Sequence, residues 1–124
     1  MIHGYFDDSG HPKIKIPVSG SREQIEIEAL IDTGFDGEIT IPSVIGVRLG
    51  LELTGLEEFE LADGSVIQNF VFSGQATLGG QNREVRIMLA DIDEAIFGTG
   101  LLTSYRLAID FVNRTIDIKE IQPK

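Results

Sequence analysis

Segments in which every second residue is apolar recur along this chain. The first spans residues 13–18, where isoleucine and valine alternate with lysine or proline, and the second spans residues 25–31 after a turn at 19–21. A period of two is typical of half-buried β-strands. The second segment ends directly at Asp32, so the sequence predicts a strand that carries a carboxylate at its end. Pro17 favours an edge position for the first strand.

Hairpins are predicted where alternating segments flank turn residues. An Asp-Gly or Gly-Gly pair between two extended segments is a strong signal for a tight turn. The predicted pairs are segments 58–61 and 66–67 around Asp63-Gly64, segments 72–78 and 84–89 around Gly79-Gly80, and segments 107–111 and 115–118 around Asn113-Arg114.

Two short helices are predicted between these strands. Pro42 suits the first position of a helix, and the apolar residues after it fit a short helix that Gly50 ends. Thr99 is placed to cap a second short helix, which would run to about Tyr105. The pattern as a whole favours an all-β fold with one or two short helices, in a single domain over residues 1–124.

Composition then narrows the classes of function. The chain has no cysteine, which excludes disulfides, thiolate zinc sites and a cysteine nucleophile. Ten basic residues against twenty acidic ones give a formal charge of −10, which disfavours binding to nucleic acid. The chain starts without the features of a signal peptide and has no apolar run long enough to span a bilayer, so we expect a soluble, cytoplasmic protein. His3 and His11 are expected to be surface residues near a mobile N-terminus.

The tripeptide Asp32-Thr33-Gly34 follows the second strand and is the strongest candidate for chemistry. A strand delivers the carboxylate to a pair of tight turns, where glycine permits backbone geometry that other residues resist. An aspartate in such a turn also serves as an ordinary turn former. Two further segments of the chain favour the chemical interpretation.

Leu30-Ile31-Asp32-Thr33-Gly34 resembles the active-site strand and loop of retropepsin-like, single-domain aspartic peptidases. The hairpin around Asp63-Gly64 resembles the flap of that family, and Ile96-Phe97-Gly98 is similar to its apolar-apolar-Gly segment. The three features occur in the family's order, and the resemblance covers residues 14–118. It implies a closed retropepsin-like β-barrel with a flap hairpin that acts on peptides without a cofactor or metal ion.

The resemblance also implies a role for each matching residue. Asp32 would be the catalytic aspartate, Thr33 would join the two active-site loops of a dimer, and Gly34 would offer backbone groups to the substrate. The remaining matching residues would form the flap tip (Ala62, Asp63 and Gly64) and the packing around the active-site loop (Ile96, Phe97 and Gly98).

Two positions depart from the family's pattern. Phe35 stands where the family has a small residue, so we expect a bulkier wall beside the catalytic group and an altered substrate channel. Thr99 stands where viral members have an arginine that pairs with the acidic residue that Asp36 resembles. We therefore expect local differences in the dimer contacts.

The chemistry itself requires a second carboxylate. Hydrolysis of an amide without metal needs one group to take a proton from water while another protonates the carbonyl oxygen. Two neighbouring carboxylates share one proton and divide these roles. Since the chain has one such motif and no internal repeat, we expect a homodimer whose two-fold axis brings two copies of Asp32 together.

Two other functions remain open. The same fold could serve as a binding or dimerisation module that cleaves slowly or not at all, and Phe35 would favour that alternative. A metal-dependent hydrolase could use Asp32, Asp36 and Glu38, although no histidine or cysteine stands near them to complete a site.

Overall fold

Strands dominate residues 1–122, the part of the chain that the computed structural model describes. In chain order the elements there are β1 (Ile2–Phe6), β2 (Pro12–Ser19), β3 (Gln24–Ile31), β4 (Ile39–Pro42), α1 (Ser43–Leu49), β5 (Glu52–Glu60), β6 (Val66–Leu78), β7 (Gln81–Ala90), β8 (Ala95–Phe97), a one-turn 3-10 helix (Thr99–Leu101), β9 (Tyr105–Asp110) and β10 (Thr115–Glu120). The predicted all-β fold class is confirmed.

Six strands close into a barrel. Strands β6, β7, β4, β8, β3 and β2 are hydrogen-bonded in that order, and β2 pairs back onto β6 through Val18 with Ala76 and Ser19 with Gln75. Closure leaves no unpaired strand at the edge of this set. Strand β5 extends the sheet beyond β6, while β1, β10 and β9 follow one another beside β2.

The core fills the barrel with side chains from alternate positions of its strands. Ile14, Ile16 and Val18 of β2 are buried, as the period-two pattern predicts. Phe97 of β8 is fully buried and is the largest residue of the core. The predicted strands over residues 13–18 and 25–31 are therefore confirmed as β2 and β3.

The N-terminal segment is paired, so the expectation of a mobile N-terminus was wrong. Strand β1 pairs with both β10 and β2, and the His3 ring nitrogen Nδ1 lies 2.7 Å from Asp117 Oδ1. Gly4 permits the close packing of β1, because a Cβ atom there would lie 2.6 Å from the carbonyl oxygen of Lys13. The partner β10 is distant in sequence, so no local pattern indicated this pairing.

The edge position expected for the strand that holds Pro17 was also wrong. Strand β2 pairs with β3 along its whole length on one side, and Pro17 lies opposite Glu26 there. On the other side, Pro12 and Lys13 pair with β1, whereas Val18 and Ser19 pair with β6. Pro17 lies in the interval between these two pairings, where its missing N–H costs no registered ladder bond.

Helix α1 confirms the first predicted helix, and Gly50 ends it with a left-handed φ of 72°. The second helix predicted from Thr99 to about Tyr105 was wrong, because one 3-10 turn forms and Tyr105 already begins β9. The Thr99 hydroxyl donates a hydrogen bond to the carbonyl oxygen of Phe35 at 3.1 Å and does not cap the turn.

The predicted hairpins are confirmed as β5–β6, β6–β7 and β9–β10, each with strands longer than predicted. The β9–β10 turn begins one residue earlier than predicted because Asp110 Oδ1 accepts hydrogen bonds from the N–H groups of Val112 and Asn113, both at 3.0 Å. Within residues 1–122, no helix is both long and apolar enough to cross a membrane.

Substitution of Phe97 tests the core around β8. Phe97→Ala should lower the free energy of unfolding by about 3–5 kcal/mol, because it leaves a cavity at a fully buried position. The matched control is Phe70→Ala on β6, where the ring is 58% exposed, and the expected loss is below about 1 kcal/mol. Urea unfolding measures the free energy of unfolding of both variants, and equal losses would contradict the burial of Phe97 in the core.

Candidate active site

Asp32 lies at the end of β3, where the parallel pairing of β3 with β8 fixes its backbone. Ile31 is in register with Phe97, and the N–H of Asp32 donates a hydrogen bond of 3.0 Å to the carbonyl oxygen of Phe97. The side chain of Asp32 is partly exposed. A buried strand pair therefore positions a carboxylate that water can reach.

The turn after Asp32 orients its carboxylate. Oδ1 of Asp32 accepts a hydrogen bond of 2.9 Å from the N–H of Gly34, and the N–H of Phe35 donates to the carbonyl oxygen of Asp32 at 3.2 Å. The carboxylate makes no other side-chain hydrogen bond to residues 1–122, so Oδ2 faces no donor there. Asp32 is thus a turn former through Oδ1, while its Oδ2 is left without a hydrogen-bond donor among the described residues.

A second loop is hydrogen-bonded to the one that follows Asp32. Gly98 N–H donates to the carbonyl oxygen of Glu38 at 2.8 Å, Thr99 N–H to that of Phe35 at 2.9 Å, and Gly100 N–H to that of Gly37 at 2.9 Å. The structure thus brings the segment Ile96, Phe97 and Gly98 to the Asp32 loop, with Ile96 and Phe97 in β8.

The Phe35 ring packs between these two loops. A Cβ atom on Gly37 would lie 2.3 Å from Phe35 Cζ, and one on Gly98 would lie 2.5 Å from Phe35 Cδ2. The absence of side chains at both glycines therefore accommodates the bulky residue that distinguishes this loop. The ring is partly buried, while Asp36 beside it is exposed and forms no ion pair with residues 1–122.

The β5–β6 hairpin places Ala62, Asp63 and Gly64 at its tip, as the sequence predicts. Gly64 has a φ of 85°, and its N–H donates to the carbonyl oxygen of Leu61 at 2.9 Å. Oδ1 of Asp63 accepts hydrogen bonds from the Ser65 hydroxyl at 2.6 Å and from the Ser65 N–H at 2.9 Å. These bonds, the hydroxyl bond first, lower the pKa of Asp63 below its ordinary value.

A cavity of about 120 Å³ separates the stem of this hairpin from the Asp32 loop. Asp36 and Glu38 line it on the loop side, while Glu57 of β5 and Val71 of β6 line it on the hairpin side. Arg86 of β7 reaches the same cavity and forms an ion pair with Glu57. Sequence reasoning did not find Glu57 or Arg86, because each is one polar position in an ordinary alternating strand.

The metal-dependent alternative gains no support from the geometry. Among residues 1–122, no three His, Asp or Glu side chains lie close enough together to hold a metal ion. Asp32, Asp36 and Glu38 are near one another in sequence, but the loop directs them to different surroundings. Glu38 accepts a hydrogen bond from the Arg86 N–H, whereas Asp32 accepts one from Gly34.

The fold is that of retropepsin-like aspartic proteases. A crystal structure of a retropepsin-like aspartic protease from Rickettsia conorii superposes with a TM-score of 0.67 over 97% of this chain and 89% of that one, at 19% identity. EIAV protease, solved with the inhibitor HBY-793, superposes with a TM-score of 0.56 over 78% of this chain and 89% of that one, at 18% identity. No protein-family model matches the sequence, and no curated protein matches it significantly.

Substitution of Gly98 tests the packing of the two loops. A Cβ atom at Gly98 would lie 2.2 Å from the carbonyl oxygen of Gly37, so Gly98→Ala should lower the free energy of unfolding by about 1–3 kcal/mol. Gly55→Ala is the matched control, because a Cβ atom there meets no atom within 4 Å, and it should change stability by less than about 1 kcal/mol. Chemical unfolding that finds Gly98→Ala as tolerant as the control would disprove this packing.

Removal of the Ser65 hydroxyl tests the hairpin tip. Ser65→Ala should raise the pKa of Asp63 toward its ordinary value, which carboxyl-carbon NMR titration measures. Because the pKa of Asp63 is lowered in the folded state, its hydrogen bonds with Ser65 stabilise the tip fully when the pH is above the ordinary aspartate pKa. That stabilisation is lost as the pH falls through the lowered pKa. The pKa of Asp110, lowered by hydrogen bonds from Asn113 and Val112, is the control and should stay constant. An unchanged Asp63 pKa would contradict the role of the hydroxyl.

Proposed function

We propose that this chain, whose fold is the retropepsin-like one, is a homodimeric aspartic endopeptidase in which a pair of Asp32 residues activates water. The observation that carries the proposal is the position and exposure of the Asp32 carboxylate. Its backbone is fixed by β8, its Oδ1 is oriented by the Gly34 N–H, and the side chain is open to water. Both solved structures reported above share this fold; one is a retropepsin-like aspartic protease and the other is EIAV protease.

The proposed mechanism divides acid and base roles between two carboxylates. When two Asp32 side chains meet, repulsion between like charges favours a state in which they share one proton. The charged carboxylate takes a proton from the attacking water, while the protonated one gives its proton to the carbonyl oxygen of the peptide. The hydrogen bond from Gly34 keeps Oδ1 of each carboxylate in place during this exchange.

The dimer follows from the count of carboxylates. One chain provides one Asp32, and a two-fold axis beside it would supply the second. Thr33 and Gly34 support this arrangement, because both are exposed at the turn that would face the axis. In the proposal, Thr33 joins the two turns, and Gly34 offers backbone groups to the substrate.

The β5–β6 hairpin is proposed to act as the flap. Glu57 and Val71 line the cavity beside the Asp32 loop, and the period of two along each strand places Phe59 and Ile67 on the same face of the hairpin. An apolar face near the tip suits contact with an extended peptide and would exclude water when the hairpin closes. The tip would then gate access to the site, through Ala62, Asp63 and Gly64.

A binding module that does not cleave is the alternative. Exposed apolar side chains are concentrated on the hairpin, where they would hold a partner peptide whether or not it is cleaved. The members of this group are Leu53, Leu56, Leu61, Val66, Ile67 and Phe70.

The single-domain organisation over residues 1–124 and the cytoplasmic location stay predictions.

Substitution of the catalytic aspartate tests the proposal. Wild-type protein should cleave an unfolded protein substrate best at acidic pH, and Asp32→Asn should reduce the rate on the order of a thousandfold, because an amide cannot take the proton from water. The variant should keep the fold and the dimer, which circular dichroism and sedimentation measure.

The control for this experiment is Asp8→Asn, an exposed aspartate in the turn after β1, which should cleave at the wild-type rate. The chelator EDTA should leave the rate unchanged. Equal rates for Asp32→Asn and wild type would end the peptidase proposal, and no cleavage by wild type would favour the binding module.

A further inference from the structure

The cavity between the hairpin stem and the Asp32 loop has the size of one side chain. Its volume of about 120 Å³ is somewhat below the roughly 150 Å³ of a cavity that holds a benzene ring. It therefore suits a slender, unbranched side chain better than an aromatic one. Loop residues Asp36 and Gly37 and hairpin residue Glu57 line it, so a peptide held under the hairpin, as proposed above, would pass beside it.

The walls of this cavity are apolar on one side. Val71 of β6 is buried, and Met88 of β7, in register with it and on the same face of the sheet, is partly buried. Ile39 of β4 also borders the cavity, but it is in register with Ile87 of β7 and its side chain belongs to the barrel core. A methylene chain that entered the cavity would pack against the Val71 and Met88 side chains.

The charges around the cavity are predominantly negative. Asp36, Glu38 and Glu57 line it against one cation, Arg86. The Arg86 guanidinium is paired with Glu57, so its charge is already compensated. Glu38 Oε1 accepts a hydrogen bond of 2.9 Å from the backbone N–H of Arg86. This bond positions the Glu38 carboxylate but does not neutralise its charge. Asp36 and Glu38 thus leave two negative charges without a cationic partner among residues 1–122.

We infer that this cavity is a substrate subsite that takes the side chain of lysine or arginine. The apolar wall would hold the methylene stem, and the carboxylates of Asp36 and Glu38 would hold the cationic head. An acidic side chain would be repelled, and a purely apolar one would desolvate the carboxylates without compensation.

This inference rests on the proposed function, in which the dimer contains two copies of the cavity. A two-fold axis at Asp32 places one such cavity on each side of the paired carboxylates. The preferred substrate is therefore an extended peptide with cationic side chains on both sides of the cleaved bond.

Three fluorescent peptides of otherwise identical sequence test this preference. They carry lysine, norleucine or glutamate at the flanking positions, and their kcat/KM values for wild type are compared. The lysine peptide should exceed the glutamate peptide by about tenfold or more, a difference of about 1.4 kcal/mol. Norleucine has the same stem without the charge, so it should fall between the two.

Glu38→Gln removes the charge and keeps an oxygen that can accept the Arg86 N–H. It should lower kcat/KM for the lysine peptide about three- to tenfold and should raise that for the norleucine peptide, because one fewer carboxylate is desolvated by the apolar side chain. Arg86→Gln should act in the opposite direction and widen the preference for lysine over glutamate, because Glu57 loses its partner. Glu26→Gln, an exposed glutamate on β3 away from the cavity, is the matched control and should change neither ratio.

Binding to Asp32→Asn protein separates this inference from the proposed function. Fluorescence anisotropy with the same peptides should give the same order, lysine before norleucine before glutamate, without any cleavage. Binding in this order without cleavage by wild type would overturn the peptidase proposal and support the subsite. Cleavage with no preference for lysine, a preference for glutamate, or a lysine preference unchanged in Glu38→Gln would overturn the subsite.

Discussion

The parallel pairing of β3 with β8 is the interaction on which the rest of the site depends. It ends in the hydrogen bond from the Asp32 N–H to the Phe97 carbonyl oxygen, and beyond it the two loops continue to bond through Gly98, Thr99 and Gly100. The buried Phe97 ring anchors β8 in the barrel core. The position of the Asp32 carboxylate is thus set by the core of the protein and does not depend on the conformation of one exposed turn.

Local patterns were sufficient for the elements that alternate strongly or carry turn residues. These patterns predicted β2, β3, the three hairpins and α1, because each is encoded within a short window of sequence. They did not predict β1, whose pairing with β10 joins opposite ends of the described chain. Strand β4 was not predicted as a strand either, since a short apolar run reads equally well as part of a helix or loop.

The candidate site was predicted where it is continuous in sequence. The motif led to Asp32, Thr33, Gly34 and Asp36, and the structure brings Gly98 to the same loop, as the resemblance to retropepsin-like proteins implied. The cavity beside it joins five separate segments, so no motif could indicate it. Phe35 was expected to make a bulkier wall beside the carboxylate; its ring packs against Gly37 and Gly98, and its effect on a substrate channel stays a prediction.

The proposed mechanism requires two Asp32 carboxylates, one from each subunit. The most direct test mixes wild-type protein with increasing shares of Asp32→Asn protein at constant total concentration, allows the subunits to exchange, and measures peptide cleavage. If both carboxylates are required, activity falls as the square of the wild-type fraction, because a mixed dimer has only one aspartate. Activity that falls in direct proportion to the wild-type fraction would show that a single Asp32 suffices and would contradict the requirement for a carboxylate pair.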